Sequence, residues 1–398
     1  MTERWRVLAL MTAAQAGSSL VQQALGSLSP VLVADFGLTK AQLGVVFTAI
    51  LVGASSCTAV SGVLTDRWGE RKMLLISATL MTAALLAATL IANYSWLVAM
   101  SALYGAGYAA STPAGGRAIL AWFHTDRGFA MGVRQTGVSV GGLIGAVAFP
   151  VIALQGGYRA AFVFAALLVA FPSALAYVVY REVPSGDRVK PTLGSVARSM
   201  KTLIRDPRLI GVTLTCMLLS ASQFIIGAFL TITAVTVVQT SAHVAGFALA
   251  VAFGAAICGR LGWGFVSDRY FGGDRLVPLA AICVLVALGA ASLALLTPGA
   301  VAPLFLASAL LGLTALGWNG LMAAALSEVG GAERAASALG LGLTAIFAAS
   351  AIAPWIFGIF ADRTSLGRCW AGVSVLAILA VVPVLRLRAH VSPRARTK

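Results

Sequence analysis

Three arginines interrupt apolar stretches of this chain, and a guanidinium in such a place is suited to binding an anion. Arg117, Arg134 and Arg260 each lie inside a long hydrophobic run, whereas the rest of the 28 Lys and Arg residues fall between runs or near the chain ends. All 13 Asp and Glu residues fall at the ends of the runs or outside them. Because a buried ion costs several kcal/mol unless it is used or compensated, this pattern predicts an anion site.

The three arginines differ in depth. Arg260 is about seven residues from the end of its run, which places it roughly 10 Å deep at 1.5 Å per residue. That Arg260 binds a carboxylate through two parallel hydrogen bonds and is the main anchor is what the family resemblance of the residues around it, given below, implies. Arg134 and Arg117 lie a turn or two inside their runs and would add to a positive cavity or an inner gate. Snorkelling or pairing with loop acids is the alternative for both.

Uncharged polar and aromatic residues inside the runs would complete a substrate pocket. The candidates are Gln15, Gln22, Tyr108, Gln223, Trp318 and Asn319. Aromatic walls with a few hydrogen-bonding groups suit a small, partly apolar ligand. Helix packing explains each of these residues singly as well as ligand contact does.

The elements that must position these residues are membrane spans. The chain has 398 residues, of which 59% are hydrophobic and 10% charged, whereas about a quarter of a soluble protein is charged. A bilayer-spanning helix needs roughly 20 apolar residues, and the sequence contains twelve such runs. They lie near 7–30, 41–63, 73–92, 96–122, 128–153, 159–181, 209–238, 244–266, 276–297, 301–327, 335–361 and 370–387. The prediction is an all-α integral membrane protein with twelve transmembrane helices and no room for a soluble catalytic domain, hence no enzyme.

A charged loop is repeated at half the chain length. Gly62–Lys72 contains Gly, three residues and then Asp-Arg, and a shorter echo at Gly264–Arg269 follows 202 positions later. The repeat predicts two similar halves: an N-terminal six-helix bundle over 1–181, and a C-terminal six-helix bundle with a basic tail over 209–398. The polar segment 182–208 between them is predicted to be a cytoplasmic linker, and it contains a pattern typical of an amphipathic helix.

The first copy of this loop, GVLTDRWGERK, resembles the cytoplasmic signature G-x-L-x-D-R-x-G-x-R-K of the major facilitator superfamily at every specified position. The resemblance implies two pseudo-symmetric bundles around a substrate site near the membrane midplane, which opens to each side in turn. It also implies that the charged loops gate the cytoplasmic side. The gating residues would be Asp66, Arg67, Arg71, Arg127, Asp268 and Arg269. A purely topogenic role for these charges is the alternative.

The residues around Arg260 carry a second resemblance. Gly259-Arg260-Leu261-Gly262-Trp263-Gly264 is similar to the eighth span of monocarboxylate transporters and of oxalate/formate exchangers, where this arginine binds the substrate carboxylate. The resemblance implies a secondary active transporter for a small organic anion, a mono- or dicarboxylate. Efflux of neutral or amphipathic compounds, with structural arginines, is the alternative, and a sensor that transports nothing is a third reading. Substrate identity, direction and coupling ion stay open.

Positive charge is distributed unevenly between the two faces. With the N-terminus inside, 21 Lys and Arg residues fall on the cytoplasmic side and 4 on the other, which predicts that both termini are cytoplasmic. We therefore expect a multi-pass protein of the cell (inner) membrane whose basic loops meet anionic lipid headgroups rather than nucleic acid. The five cysteines and three histidines form no metal or catalytic pattern, and no cofactor is expected. The family resemblance implies a monomer.

Overall fold

The computed structural model describes residues 3–123, 127–182 and 205–391, and all regular secondary structure in these ranges is helical. Nine helical segments within the described ranges are long and apolar enough to cross a membrane. The predicted all-α membrane fold is thus confirmed. The amphipathic part of the predicted linker lies outside the described residues.

The first half of the chain begins with an interrupted helix and continues with four longer ones. These elements are α1 (Glu3–Ala24), a 3₁₀ turn (Leu25–Leu28), α2 (Ser29–Phe36), α3 (Lys40–Trp68), α4 (Glu70–Ala88), α5 (Tyr94–Trp122) and α6 (Arg127–Val179). Helix α6 covers both the fifth and the sixth predicted span. Gly156 and Gly157 leave the helical conformation, Gly157 with φ of 65°, and divide α6 into two helices.

The second half contains seven helices. They are α7 (Pro207–Thr236), α8 (Ala242–Tyr270), α9 (Leu276–Ala294), α10 (Val301–Ala315), α11 (Asn319–Arg363), α12 (Leu366–Leu379) and α13 (Val381–Val391). The tenth predicted span is interrupted at Leu316–Trp318, between α10 and α11. The loop predicted between spans 10 and 11 is helical and belongs to α11.

The nine membrane-crossing segments correspond closely to the predicted spans. One of them, Ala130–Val179, has 50 residues and covers two predicted spans. Predicted spans 1 and 4 are helical as α1 with α2 and as α5, but they are not among the nine. Both contain many small and polar residues, which reduce their hydropathy.

Glycines allow the helices of each half to approach closely. A Cβ added at Gly53 of α3 would lie 2.0 Å from the carbonyl oxygen of Ala102, and one added at Gly105 of α5 would lie 2.0 Å from that of Ile50. The two helices therefore pack backbone against backbone. Small residues at helix contacts are the usual means of close packing in membranes, where burial of apolar surface gives no advantage.

The two halves of the protein meet at the end of the bundle that carries the α2–α3 and α11–α12 connections, here called the distal end. The Asp362 carboxylate, at the end of α11, accepts hydrogen bonds from the backbone amides of Lys40 (2.9 Å) and Ala41 (2.8 Å) at the start of α3. The Lys40 ammonium lies 3.8 Å from the same carboxylate. A carboxylate at a helix N-terminus satisfies free amides and complements the helix dipole. Asp362 thus joins the second half to the first.

Backbone contacts extend this closure toward the membrane interior. A Cβ at Gly44 of α3 would lie 2.4 Å from the Pro354 carbonyl oxygen of α11. Gly26, in the 3₁₀ turn after α1, lies similarly close to Gly227 of α7, where a Cβ would come within 1.6 Å of the carbonyl oxygen. The distal end is therefore closed in this structure by contacts that leave no room for a side chain.

We predict that Gly44→Val prevents this closure, because its Cβ would overlap the Pro354 carbonyl. Spin labels on cysteines introduced at Ala34 and Arg363, both exposed at the distal end, should show a longer mean distance in the variant. Gly372→Val is the matched control, since nothing lies within 4 Å of a Cβ there. An unchanged distance distribution in a folded Gly44→Val protein would contradict the conclusion that the contact between Gly44 and Pro354 closes the distal end.

Candidate functional site

Arg134 is buried between α1 and α5, with 1% of its surface exposed. Its Nη2 donates hydrogen bonds to the side-chain oxygen of Gln15 and to the carbonyl oxygen of Ser111 (3.1 Å). Its Nε is buried and has no partner among the described residues. A Cβ at Gly115 would lie 2.6 Å from Nη2 and 2.7 Å from Nε. The missing side chain at Gly115 therefore makes room for the guanidinium.

A chain of hydroxyl groups supports this arrangement. The Gln15 amide donates to the Ser19 hydroxyl (2.8 Å), which holds its oxygen toward Arg134. The Ser111 hydroxyl donates to Ser18 (3.0 Å), and the Tyr104 hydroxyl donates to the Ser18 carbonyl (2.6 Å). All these side chains are buried. The sequence predicted Gln15 but gave no signal for the serines, because serine in a membrane helix usually bonds to its own backbone.

Arg260 reaches the same region from the second half of the chain. Its Nη1 donates to the carbonyl oxygen of Gln135 (3.3 Å), the residue that follows Arg134 on α6. Its Nε is buried and has no partner among the described residues. Tyr108, a predicted pocket residue, is half-buried on α5. We call Arg134, Arg260 and Tyr108 the two-arginine site.

The positive charge of this site is not neutralised within the described part of the chain. No carboxylate of the described residues forms an ion pair with Arg134 or Arg260. Two like charges in a medium of low dielectric constant repel each other, and each pays for its lost hydration. An anion placed between them removes both penalties, so this geometry is suited to anion binding.

The interruption between α10 and α11 lies against Arg260. A Cβ at Gly317 would lie 2.8 Å from the Cα of Gly259, the residue before Arg260. The Trp263 indole donates to the Leu313 carbonyl (2.8 Å), near the end of α10. Interrupted helices near the midplane often form the binding sites of transporters, because they free backbone and side-chain polar groups.

Three predicted pocket residues belong to this interruption or contact it. The Asn319 amide donates to Gln223 on α7 (3.4 Å) and to the Leu316 carbonyl (3.2 Å). Trp318 has 1% of its surface exposed, and its indole nitrogen has no partner among the described residues. The structure thus brings Gln223, Trp318 and Asn319 together. Gln22 is buried on α1, and no described contact joins it to either arginine.

Arg117 has a different environment from the other two arginines. Its Nε lies 3.1 Å from the Glu70 carboxylate, and its Nη1 donates to the Thr65 carbonyl (3.0 Å). The Tyr180 hydroxyl donates to the other oxygen of Glu70 (2.7 Å). Because a carboxylate compensates Arg117, the arrangement favours a role in folding or gating over substrate binding.

Two of the predicted gating residues, Arg71 and Asp268, lie in separate clusters, one in each half. The Arg71 amide donates to Glu182 (2.8 Å), and the Arg71 guanidinium stacks on the Tyr177 ring at 4.5 Å. Arg67 and Arg269 are exposed. The side chains of Asp66 and Arg127 lie outside the described residues. The sequence predicted Arg71 but not its partner Glu182, because they are 111 positions apart.

In the second half, Arg275 is the centre of the corresponding cluster. Its Nη1 lies 2.6 Å from Asp268, and its Nε lies 3.0 Å from Glu328. Burial acts to lower the pKa of Arg275, but its hydrogen bonds to Glu328 and Asp268 outweigh this effect and raise the pKa. Arg275 therefore stays charged and bridges α8 to α11.

The described residues form a bundle of long apolar helices, which is the architecture of an integral membrane protein. The chain belongs to the major facilitator superfamily, since the family model described as Major Facilitator Superfamily matches residues 11–354. It is therefore a multi-pass membrane protein of a family whose members transport small molecules.

Individual relatives are distant. The chain is 28% identical to an uncharacterized MFS-type transporter of Mycobacterium tuberculosis, over 99% of this chain and 88% of that protein. It is also 28% identical to the 4-hydroxybenzoate transporter PcaK of Pseudomonas aeruginosa, over 51% of this chain and 47% of that protein. The crystal structure of a bacterial homolog of the human lysosomal transporter Spinster, inward-facing and unoccupied, aligns with a TM-score of 0.75 at 16% identity. The alignment covers 98% of this chain and 96% of that chain, which shows that the two proteins share a fold.

We predict that Glu70→Ala destabilises the protein, because it leaves Arg117 and the Tyr180 hydroxyl without their acceptor. The loss should be up to about 3 kcal/mol, since one partner of a buried ion pair is removed. Thermal unfolding of the purified protein measures it, with the exposed Lys72→Ala as the control. In the double variant Glu70→Ala/Arg117→Ala, the loss should be smaller than the sum of the single losses. Additive losses would show that the pair is not coupled.

Proposed function

We propose that this protein is a secondary active transporter that moves a small organic anion, a mono- or dicarboxylate, across the cytoplasmic membrane by alternating access. The observation that carries the proposal is the two-arginine site. Two guanidinium groups, the buried one of Arg134 and the half-buried one of Arg260, come together from the two halves without a carboxylate partner among the described residues. An anion is the ligand that this environment stabilises most.

Arg260 is the principal anchor in this proposal. Its Nη1 is occupied by the Gln135 carbonyl, whereas its Nε, which forms one edge of the guanidinium together with Nη2, is buried and has no partner among the described residues. That edge is the one that binds a carboxylate through two hydrogen bonds. Arg134 contributes the second positive charge from the opposite half, and Tyr108 on α5 is proposed to contact the substrate beside them.

The uncharged part of the substrate would meet the other predicted pocket residues. Gln15 orients Arg134, and the Trp318 indole and Asn319 amide are available beside the α10–α11 interruption. Gln22 and Gln223 add buried amides on α1 and α7. Aromatic surface with a few polar groups is typical of sites for small organic molecules.

The closed distal end fits one of the two states that alternating access requires. In the other state, the Asp362 contacts would break and the opposite end would close. We assign that second closure to the charged loops of the opposite end, which include Asp66, Arg67, Arg71, Arg127, Asp268 and Arg269. The moving bodies are the proposed bundles 1–181 and 209–398, joined by the linker 182–208.

The proposed orientation places both termini in the cytoplasm and the protein in the inner membrane. The 21-to-4 distribution of basic residues supports it, because basic loops remain on the cytoplasmic side. Those loops would contact anionic lipid headgroups. A monomer contains both halves of the site, so transport needs no second copy.

The similarity to a 4-hydroxybenzoate transporter supports an organic anion as the cargo. That relative carries a compound with a carboxyl group, and the alignment covers 51% of this chain.

We predict that small carboxylates raise the unfolding temperature of the purified protein and that Arg260→Ala abolishes the effect. A ligand that binds only the folded state stabilises it by an amount that grows with concentration relative to Kd. The panel should contain carboxylates, inorganic anions, sugars and amphipathic drugs. Arg368→Ala, an exposed arginine outside the site, is the control. Stabilisation by neutral compounds that survives Arg260→Ala would instead support efflux of neutral or amphipathic compounds.

A further inference from the structure

The two-arginine site carries two positive charges, one from each half of the chain. The number of these charges determines which charge on the substrate they stabilise best. We infer that the transported anion has two acidic groups, one bound by Arg260 and the other by Arg134. The inference rests on the proposed function and narrows its substrate class to short dianions, such as dicarboxylates or carboxylates that carry a sulfonate.

The first argument is the balance of charge. Arg134 and Arg260 contribute two charges, and none of the described carboxylates pairs with either of them. A monoanion would leave one guanidinium buried without a counter-ion, whereas a dianion neutralises both. Since an unpaired buried charge is costly, the dianion is the better ligand.

The second argument is the set of free donors. Arg134 uses Nη2 twice, for Gln15 and Ser111, and leaves its buried Nε without a partner among the described residues. Arg260 donates from Nη1 to the Gln135 carbonyl, and its buried Nε has no partner among the described residues. Each guanidinium is therefore held by one of its nitrogens and offers another. A Cβ at Gly115 would lie 2.7 Å from the Arg134 Nε, so the glycine makes room for the guanidinium in this position.

The third argument concerns length. Arg260 donates to the backbone carbonyl of Gln135, the residue next to Arg134 on α6. A ligand that spans the two guanidiniums must be short. Because Arg134 belongs to the first half and Arg260 to the second, such a dianion would also hold the two halves together and favour the closed site.

The test compares diacids with ligands of nearly the same shape that lack one charge. Binding of oxalate, malonate, succinate and sulfoacetate to the purified protein is measured beside that of their half-esters, by calorimetry at constant pH and ionic strength. We expect at least one diacid to bind about ten- to a hundredfold more tightly than its half-ester. The reason is that the second acid group adds one charge-assisted hydrogen-bonded pair. This comparison uses the unmodified protein and does not depend on whether a variant folds.

The variants then assign each acid group. Arg134→Gln should remove the preference for the diacid over its half-ester, whereas Arg134→Lys should keep part of it. If no diacid binds more tightly than its half-ester, the inference is overturned while the organic-anion function stands. If neutral diesters bind as well as the acids, both the inference and the proposed function are overturned.

Discussion

The rest of this structure depends on the meeting of two arginines that have no described counter-charge. Arg134 is buried in the first half, and Arg260 reaches the neighbouring backbone from the second half. Neither charge would persist in an apolar bundle unless something offset it for part of the working cycle. A mobile anion meets this requirement without fixing the two halves permanently, which a protein carboxylate between them would do.

The scaffold around the site serves the same requirement. Glycines let the helices approach closely. Gln15 and the Ser111 carbonyl hold Arg134 in one orientation. At the distal end, Asp362 joins the halves through backbone amides of α3 rather than through apolar packing. Hydrogen bonds of this kind can exchange with water when the halves separate. Rigid halves and a separable interface are what alternating access requires.

The sequence predicted the elements of this fold better than it predicted their contacts. Apolar run length predicted most helices, and the absence of carboxylates inside the runs singled out Arg117, Arg134 and Arg260. The partners were not predictable, because Gln15 lies 119 positions from Arg134, and the partner of Arg117 is set by how α4 packs against α5. The interruption at Leu316–Trp318 was also not predicted. The sequence does not show that Gly317 packs against the backbone of Gly259.

The central claim is that an anion occupies the space between the two guanidiniums. The most direct measurement is a structure determined by cryo-electron microscopy in a lipid nanodisc with a saturating short diacid. The account predicts ligand density within hydrogen-bonding distance of Nε of both Arg134 and Arg260, with Tyr108 beside it. Ligand density elsewhere, or either guanidinium paired with a protein carboxylate in the bound state, would contradict it.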